Sequence, residues 1–321
     1  MRSPPLLSII VPTRQRIDSL RQMLDSLART AAHPESIEVV LVVDADDSAS
    51  LAFRHPSLTL SHVRVPPGQT MGTLNGEGYR ASRGKYVMLL NDDVIARTAG
   101  WDDKVLTRLT RFPDGIVLVH VNDTLMRENL CTFPVVSRDF CELAGGICPP
   151  EYIRYRIDDH IEDIFNLLGY LGHKRTIYLP DVVFEHQNAV QHAGAPPEYH
   201  SLPDILALDA PRFLALFPDR KRLALELLER IEGPLGPDRA EAARNSLRQL
   251  EDPFALRRPG RLIVETDVPI GRRVLRRLAR LGREVAAVWG RALTCYRQKG
   301  GIGLLRAARR QLLPRRLRKT P

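Results

Sequence analysis

Three short clusters of acidic residues lie at or near the ends of predicted secondary-structure elements. They are residues 44–47 (DADD), 91–93 (NDD) and 158–163 (DDHIED). Carboxylates that gather at one edge of a sheet repel one another unless a cation or hydrogen-bond donors lie between them. Mg²⁺ and Mn²⁺ take oxygen ligands, usually one or two carboxylates together with phosphate oxygens and water. The clusters therefore favour a divalent metal ion that acts on a diphosphate ligand.

Apolar, β-branched runs that alternate with helical spacing predict the elements that position these clusters. Strands are predicted over residues 6–11, 37–43, 59–65, 86–90 and 116–121, with extended pieces at 177–179 and 182–184; helices are predicted over 17–27, 71–82 and 161–171. Strands that are apolar throughout and alternate with helices favour a largely parallel sheet covered on both faces. Ligands of such sheets bind beyond the carboxyl ends of the strands, where the clusters lie.

Four segments resemble the motifs of a known enzyme family. LSIIVPTRQR, VVLVVDADD, GKYVMLLNDDV and YLPDVVFEH, in this order and spacing, resemble the inverting glycosyltransferases of family 2 over roughly residues 6–190. The resemblance implies an α/β fold of GT-A type, with a Rossmann-like mixed, mostly parallel sheet that has helices on both faces. It also implies transfer of a sugar from a nucleotide-diphosphate donor with inversion at the anomeric carbon.

The chain is predicted to have three parts. Residues 1–200 form the nucleotide-sugar-binding catalytic domain, residues 201–256 a helical C-terminal extension, and residues 257–321 a basic amphipathic tail.

The resemblance also assigns roles to individual residues. Pro12, Thr13 and Arg14 would line the nucleotide pocket, Asp44 would bind the base, commonly uracil, and Asp92 or Asn91 would meet the ribose. Asp93 would bind a Mg²⁺ or Mn²⁺ ion that bridges the phosphates, and His186 would complete the metal or diphosphate site.

The family's D-x-D position holds Asn91 where an acid is frequent, and Ala45 stands where many members have a second acid. The Q-x-x-R-W signature of processive synthases is absent, which favours addition of one sugar or a few.

An inverting transfer needs a carboxylate that takes the proton from the acceptor hydroxyl. In the family this acid lies near the start of a helix after the D-x-D motif, a place that residues 158–163 occupy here. Asp159 is the first choice, with Asp158 the second and Glu162 the third.

Each assignment has a structural alternative. The Asp92-Asp93 pair can be an ordinary polar strand end, His186 a structural histidine, and Asp44 a turn or helix cap. Residues 158–163 can be a helix start with favourable helix-dipole charge.

The charge of the chain is divided unevenly. Residues 257–321 hold 19 basic and three acidic residues, a charge of +16, whereas the remainder holds 28 basic and 35 acidic residues, a charge of −7. Apolar residues of the tail fall on one helical face and arginines on the others, a pattern typical of a helix on an anionic membrane. A solvated or disordered tail, or one that binds nucleic acid non-specifically, is the alternative.

Cysteine usage and hydropathy bear on the compartment. The four cysteines show no zinc spacing and are too few for a disulfide framework, and no run reaches the roughly 18 apolar residues of a membrane span. We expect a cytoplasmic protein, peripheral at the inner face of the plasma membrane, with no specific nucleic acid partner.

The predicted function is a metal-dependent glycosyltransferase that builds a cell-surface polysaccharide on a glycan or lipid-linked acceptor. A catalytically inactive scaffold of the same fold is one alternative. A sugar nucleotidyltransferase is another, although no G-x-G-T-R-like loop follows the first strand, where Pro12-Thr13-Arg14 stands.

Overall fold

A nine-stranded sheet organises the part of the chain that the computed structural model describes, namely residues 4–187, 205–256 and 262–267. The strands are β1 (Leu7–Thr13), β2 (Ile37–Asp44), β3 (Thr59–Val65), β4 (Tyr86–Leu89), β5 (Val94–Ala96), β6 (Leu118–Asn122), β7 (Pro134–Ser137), β8 (Thr176–His186) and β9 (Ile263–Val264). Their order is β3-β2-β1-β4-β7-β6-β8-β5, and β9 pairs with β8.

The sheet is mixed and mostly parallel, as predicted. β3, β2, β1 and β4 run parallel, β7 is antiparallel to both its neighbours, and β8 is parallel to β6 but antiparallel to β5. In register, Thr13 lies opposite Val43, and Ile10 lies opposite Leu89. The carboxyl ends of β1, β2 and β4 therefore meet at one edge, which brings two of the acidic clusters together.

Helices cover both faces of the sheet. They are α1 (Ile17–Thr30), α2 (Ser48–Ala52), α3 (Met71–Ala81), α4 (Trp101–Leu109), α5 (Arg138–Leu143), α6 (Ile157–Tyr170), α7 (Ile205–Ala215), α8 (Phe217–Glu232) and α9 (Pro237–Arg248). Alternate residues of β1 enter two cores: Ile9 packs with residues of α1 and α4, whereas Ile10 packs with residues of α6 and α8. This two-sided burial explains why the strands are apolar throughout. The predicted α/β fold, a mixed, mostly parallel sheet with helices on both faces, is confirmed.

Two elements differ from their predicted forms. The helix expected over 161–171 begins at Ile157, so the third acidic cluster lies within its first two turns and does not precede it. The two extended pieces around Pro180 form one strand, β8, whose pairing with β6 shifts register after Val121. Periodicity missed both, because acidic residues interrupt one apolar pattern and a proline interrupts the other.

The predicted helical extension contains α7, α8 and α9, and α6 packs against α8. The described residues up to Thr266 belong to one compact unit. At the start of the predicted tail, Ile263 and Val264 pair with β8, and the Glu265 carboxylate contacts Arg108 and Arg111. The amphipathic stretch of the tail lies outside the described residues. Among the described helices, none is long and apolar enough to cross a bilayer.

Candidate active site

Asp92 ties the ends of two adjacent strands together. Its side chain follows β4 and is only 4% exposed. The Thr13 hydroxyl at the end of β1 donates to Oδ2 at 2.8 Å, and Arg16 Nη1 lies 2.8 Å from Oδ1. The Ser19 hydroxyl donates to the Asp92 carbonyl at 2.9 Å. Burial raises the pKa of Asp92 to about 6, although the charge of Arg16 and the Thr13 hydrogen bond act in the opposite direction.

Asp93 and His186 meet at the same edge because β5 and β8 are paired. Val94 lies opposite His186 in that pairing, and Gln187 N donates to the Asp93 carbonyl at 2.8 Å. His186 Nε2 lies 3.2 Å from Asp93 Oδ1, and Asn91 Nδ2 lies 3.2 Å from the same nitrogen. The predicted D-x-D residues and the predicted histidine are thus brought together across more than 90 residues of sequence.

The electrostatic environment keeps Asp93 ionised. Burial acts to raise its pKa, but contacts with His186 and with Arg16, whose Nη2 lies 3.2 Å from Oδ2, outweigh burial and lower the pKa. Asp93 Oδ1 is buried and makes no well-aligned hydrogen bond to the described residues, although His186 is within ion-pair distance. An ionised oxygen of this kind is able to accept a cation.

Asp93 and His186 fit a divalent metal ion of the Mg²⁺ or Mn²⁺ type. Asp93 Oδ1 would supply a carboxylate oxygen, and His186 Nε2 would supply a nitrogen ligand in the neutral form of the imidazole, with the metal replacing its contact with Asp93. Imidazole and carboxylate together suit Mn²⁺ better than Mg²⁺. Within the described residues, no group of three or more acidic, histidine or cysteine side chains converges on one point. The remaining ligands would therefore be phosphate oxygens and water.

Asp44, at the end of β2, lies beside the predicted nucleotide-pocket residues Pro12, Thr13 and Arg14. The Arg14 guanidinium contacts the Asp44 carboxylate and also the Asp46 carboxylate, at 3.0 and 2.8 Å. Asp47 accepts from Gln15 N at 2.6 Å and caps α2 through Ser50 N at 3.1 Å. The loops after β1 and β2 are therefore joined by ionic and backbone contacts.

The acidic residues of α6 divide between two sides of the helix. Asp159 Oδ2 lies 3.2 Å from Arg156 Nη1, and Asp163 Oδ2 accepts from Arg220 Nε of α8 at 2.5 Å. These two acids, four residues apart, share the side that faces the arginines. Asp163 is 2% exposed, and burial raises its pKa to about 6 in spite of Arg220.

Asp158 and Glu162, also four residues apart, share the other side. Glu162 Oε2 accepts from Cys131 N at 3.4 Å. Burial is the main cause that raises the pKa of the Cys131 thiol, and the charges of Glu162 and Asp158 add to it. Burial also raises the pKa of Glu162 to about 7. The Phe133 ring, two residues along the chain from Cys131, lies 5.3 Å from the His186 ring between centroids.

Two residues of the site were missed from the sequence. Arg16 lies in the quoted motif PTRQR, but nothing in its position alone shows that it pairs with Asp92 and Asp93. Asp123 follows β6 and accepts from the N–H groups of residues 125–127 and from the Thr132 hydroxyl. An acid close to the end of a predicted strand is the signal that identified the other clusters, and Asp123, two residues after the strand predicted over 116–121, shows it as well.

Comparison with known proteins finds one family similarity in the first half of the chain. Residues 8–136 match the sequence profile of the family described as "Glycosyl transferase family 2". This range contains the first three of the four resembling motifs, whereas YLPDVVFEH at residues 178–186 lies beyond it. No curated protein matches the sequence.

Several solved structures are similar at low identity. They include S. aureus TarS (14% identity, TM-score 0.48, 70% of this chain and 43% of that one), and S. aureus TarS 1-349 in complex with UDP-GlcNAc (14%, 0.47, 76% and 80%). A third is the mannosyltransferase PcManGT from Pyrobaculum calidifontis in complex with GDP-Man and Mn²⁺ (20%, 0.47, 97% and 88%). The chain spans less than half the length of the first of these. Residues 8–136 are therefore similar to the glycosyltransferases of family 2.

We predict that Arg16 stabilises the fold through the buried Asp92 charge. Replacing Arg16 by Met should lower the free energy of unfolding at pH 8 by about 2–4 kcal/mol, because it leaves a buried carboxylate without its cation. The folded-state pKa of Asp92, about 6, is raised above its unfolded value. Lowering the pH to 5.5 therefore protonates Asp92 in the folded state, and the effect of Arg16→Met should shrink.

Urea denaturation of the wild type, Arg16→Met, Asp92→Asn and the double variant at both pH values measures this coupling. In the Asp92→Asn background, Arg16→Met should cost clearly less than in the wild type. Equal costs in both backgrounds would show that Arg16 and Asp92 are energetically independent.

Proposed function

We propose that this family 2 domain is a metal-dependent, inverting glycosyltransferase that moves a sugar from a nucleotide-diphosphate donor, UDP-linked in the first instance, to a glycan or lipid-linked acceptor. The observation that carries the proposal is the convergence of Asp93 Oδ1 and His186 Nε2, 3.2 Å apart, at the carboxyl edge of a mostly parallel sheet. The family match over residues 8–136 supports nucleotide-sugar transfer as the reaction class.

The proposed diphosphate site combines Asp93 and His186 with the cation Arg16. A bound Mg²⁺ or Mn²⁺ supplies positive charge that stabilises the nucleotide diphosphate as it leaves the sugar. Asp93 and His186 would hold the ion, and Asp92 would fix the strand end that carries Asp93. The buried Asp92 carboxylate already accepts from Thr13 and Arg16. The exposed Asn91 is therefore the better candidate for the contact with ribose.

The proposed nucleotide pocket lies at the ends of β1 and β2. Pro12 and Thr13 end β1, and the Arg14 guanidinium beside the Asp44 carboxylate presents a donor next to an acceptor. A base with a carbonyl beside an imino N–H, as in uracil, matches that pair. This pairing supports Asp44 as the base-binding residue that the family resemblance implies.

We predict that nucleotide diphosphate binding depends on the metal and on Asp93. UDP should bind at least about tenfold more tightly with Mn²⁺ than with EDTA, and Asp93→Asn should remove that difference because it removes an ionised ligand. Isothermal titration calorimetry with UDP and with GDP measures this. Asp103→Asn, which makes the same change at a half-exposed residue of α4, is the control and should resemble the wild type. Equal UDP affinity with EDTA and with Mn²⁺ would refute metal dependence.

The proposed base is a carboxylate at the start of α6. Asp159, the first choice from sequence, is paired with Arg156 on the side that faces the C-terminal helices. Asp158 and Glu162 share the other side of the helix, where Cys131 N donates to the Glu162 carboxylate. Because the Asp159 carboxylate is already paired with Arg156, we prefer Glu162 and Asp158 to Asp159 as the proposed base. A pKa of about 7 also suits Glu162, because a general base works best near the working pH.

We predict a pH dependence that identifies the base. A base must be deprotonated, so with Glu162 in this role turnover should fall as pH drops below about 7. Glu162→Gln should lower turnover by about 10² to 10⁴ and leave UDP binding intact. Donor hydrolysis measured between pH 5.5 and 8.5 tests this.

Asp158→Asn and Asp159→Asn serve as matched comparisons in the same assay. Loss of turnover confined to one of them would transfer the role to that residue. Normal turnover in all three variants would remove the helix start from the chemistry and leave residues 158–163 as a helix start with favourable dipole charge.

We also propose that the chain works at an anionic membrane surface on the cytoplasmic side, in the assembly of a cell-surface polysaccharide. The +16 charge of residues 257–321 supports this, since each basic residue near such a surface contributes about 1 kcal/mol. An acceptor linked to lipid would be found at the same surface.

We predict that removal of residues 268–321 abolishes binding to phosphatidylserine-containing vesicles and leaves the catalytic domain folded. This boundary keeps β9 and the Glu265 contacts, which a cut at 257 would remove. Vesicle sedimentation at low and high salt, with phosphatidylcholine vesicles as the control, measures it. Undiminished binding by the shortened chain would contradict the membrane proposal.

A further inference from the structure

Residues 144–156 form the segment between α5 and α6, and the start of α3 contacts one side of this segment. Met71 N donates to the Ile153 carbonyl at 2.8 Å, and Gly72 N donates to the Tyr152 carbonyl at 3.0 Å. A Cβ atom at Gly72 would lie 2.3 Å from the Pro149 carbonyl oxygen, so this approach requires glycine. The segment leads directly into the helix that carries the acidic cluster.

The same segment is held from the other side by Asp209 of α7. This side chain is fully buried. Its carboxylate accepts from three consecutive backbone N–H groups, those of Ile153 at 2.9 Å, Arg154 at 2.9 Å and Tyr155 at 2.8 Å. Hydrogen bonds to an ionised acceptor are about twice as strong as neutral ones, so one residue of the extension fixes the backbone of the segment.

A second set of contacts ties α6 itself to α8. Arg220, 1% exposed, donates through Nε to Asp163 at 2.5 Å and through Nη1 to the Phe213 carbonyl at 2.8 Å. His160 Nδ1 lies 2.9 Å from the Tyr152 hydroxyl and 3.4 Å from Arg220 Nη1. Since an arginine can only donate, His160 Nδ1 is the acceptor, and the segment, α6 and α8 share one network.

The backbone is strained where the segment meets α6. Such strain is expected if the contacts described above impose the conformation. Arg156, the residue before α6, has φ of +71°, in the left-handed region that a non-glycine residue adopts only at an energetic cost. Such a conformation persists when the surroundings determine it. Buried charges such as Asp209 and Arg220 also cost desolvation energy, and apolar residues of similar size commonly stabilise a fold as well or better.

We infer that Asp209 and Arg220 of the C-terminal extension are positioning residues of the active site, which hold the start of α6 so that its acidic residues face the acceptor hydroxyl. The inference rests on the proposed function and goes beyond it, because it assigns the extension a part in the reaction. A displacement of about 1 Å in a reacting group can lower the rate about 100-fold. Small changes in the contacts of Asp209 and Arg220 should therefore affect turnover strongly.

The test compares Asp209→Asn with Asp219→Asn, the same change at a half-exposed residue of α8. Asp209→Asn should lower kcat for hydrolysis of the donor by about 10- to 100-fold, with the donor KM and the UDP affinity in Mn²⁺ within about twofold of wild type. Hydrogen–deuterium exchange should rise in residues 150–158 and remain unchanged in β1 and β2. Asp219→Asn should match the wild type in every measurement.

Tyr152→Phe provides a milder second variant in case Asp209→Asn does not fold, because it removes only the hydroxyl bound to His160. It should lower kcat with KM unchanged. Wild-type kcat in a folded Asp209→Asn protein, or in Tyr152→Phe, would overturn the inference. Parallel loss of kcat, UDP affinity and global protection would also overturn it, by showing a purely structural role. If the wild type itself hydrolyses no UDP- or GDP-sugar and binds neither nucleotide, the proposed function fails instead.

Discussion

The buried carboxylate of Asp92 is the constraint on which the active-site edge depends. Two strands, β1 and β4, end beside each other, and each leaves polar groups at a point where the sheet no longer satisfies them. Asp92 accepts from Thr13 and pairs with Arg16, so the end of β4 is fixed to the loop after β1. Because Asp93 is the next residue, its orientation follows from that tie. A cation of the protein thus sits beside both carboxylates of the motif.

The mixed topology of the sheet supplies the partner for Asp93. A wholly parallel sheet would place successive strand ends along one edge, but a short antiparallel strand, β5, turns back from Asp93 and pairs with the end of β8. That pairing brings His186 to Asp93 and places Gln187 N on the Asp93 carbonyl. The family 2 sequence range ends at residue 136, so the histidine side of the site is built by chain beyond it. The two sides of the site are joined by backbone pairing, which makes their spacing insensitive to surface substitutions.

Much of this arrangement could be predicted from local sequence. The runs LSIIV, IEVVLVV and YVMLL are apolar throughout because both faces of β1, β2 and β4 are buried, and the acids after two of these runs mark the functional edge. The strands β5 and β7 have three and four residues, too few for a period to be recognised. The start of α6 was misplaced because its first two turns carry four acids, three of which are buried in contact with Arg156, Arg220 and Cys131. Those partners are distant in sequence or belong to no recognisable motif. The spacing of the residues alone therefore could not predict which partner each acid of α6 contacts.

The central claim is that Asp93 and His186 hold one divalent ion together with the diphosphate of the donor. Electron spin echo spectroscopy of Mn²⁺ bound to the protein with UDP tests it directly, because it detects nitrogen and phosphorus nuclei in the coordination sphere. Our account predicts nitrogen modulation from one imidazole and coupling to phosphorus in the wild type, with the nitrogen signal lost in His186→Gln. Mn²⁺ bound with UDP but without nitrogen modulation, or a nitrogen signal unchanged in His186→Gln, would contradict the account.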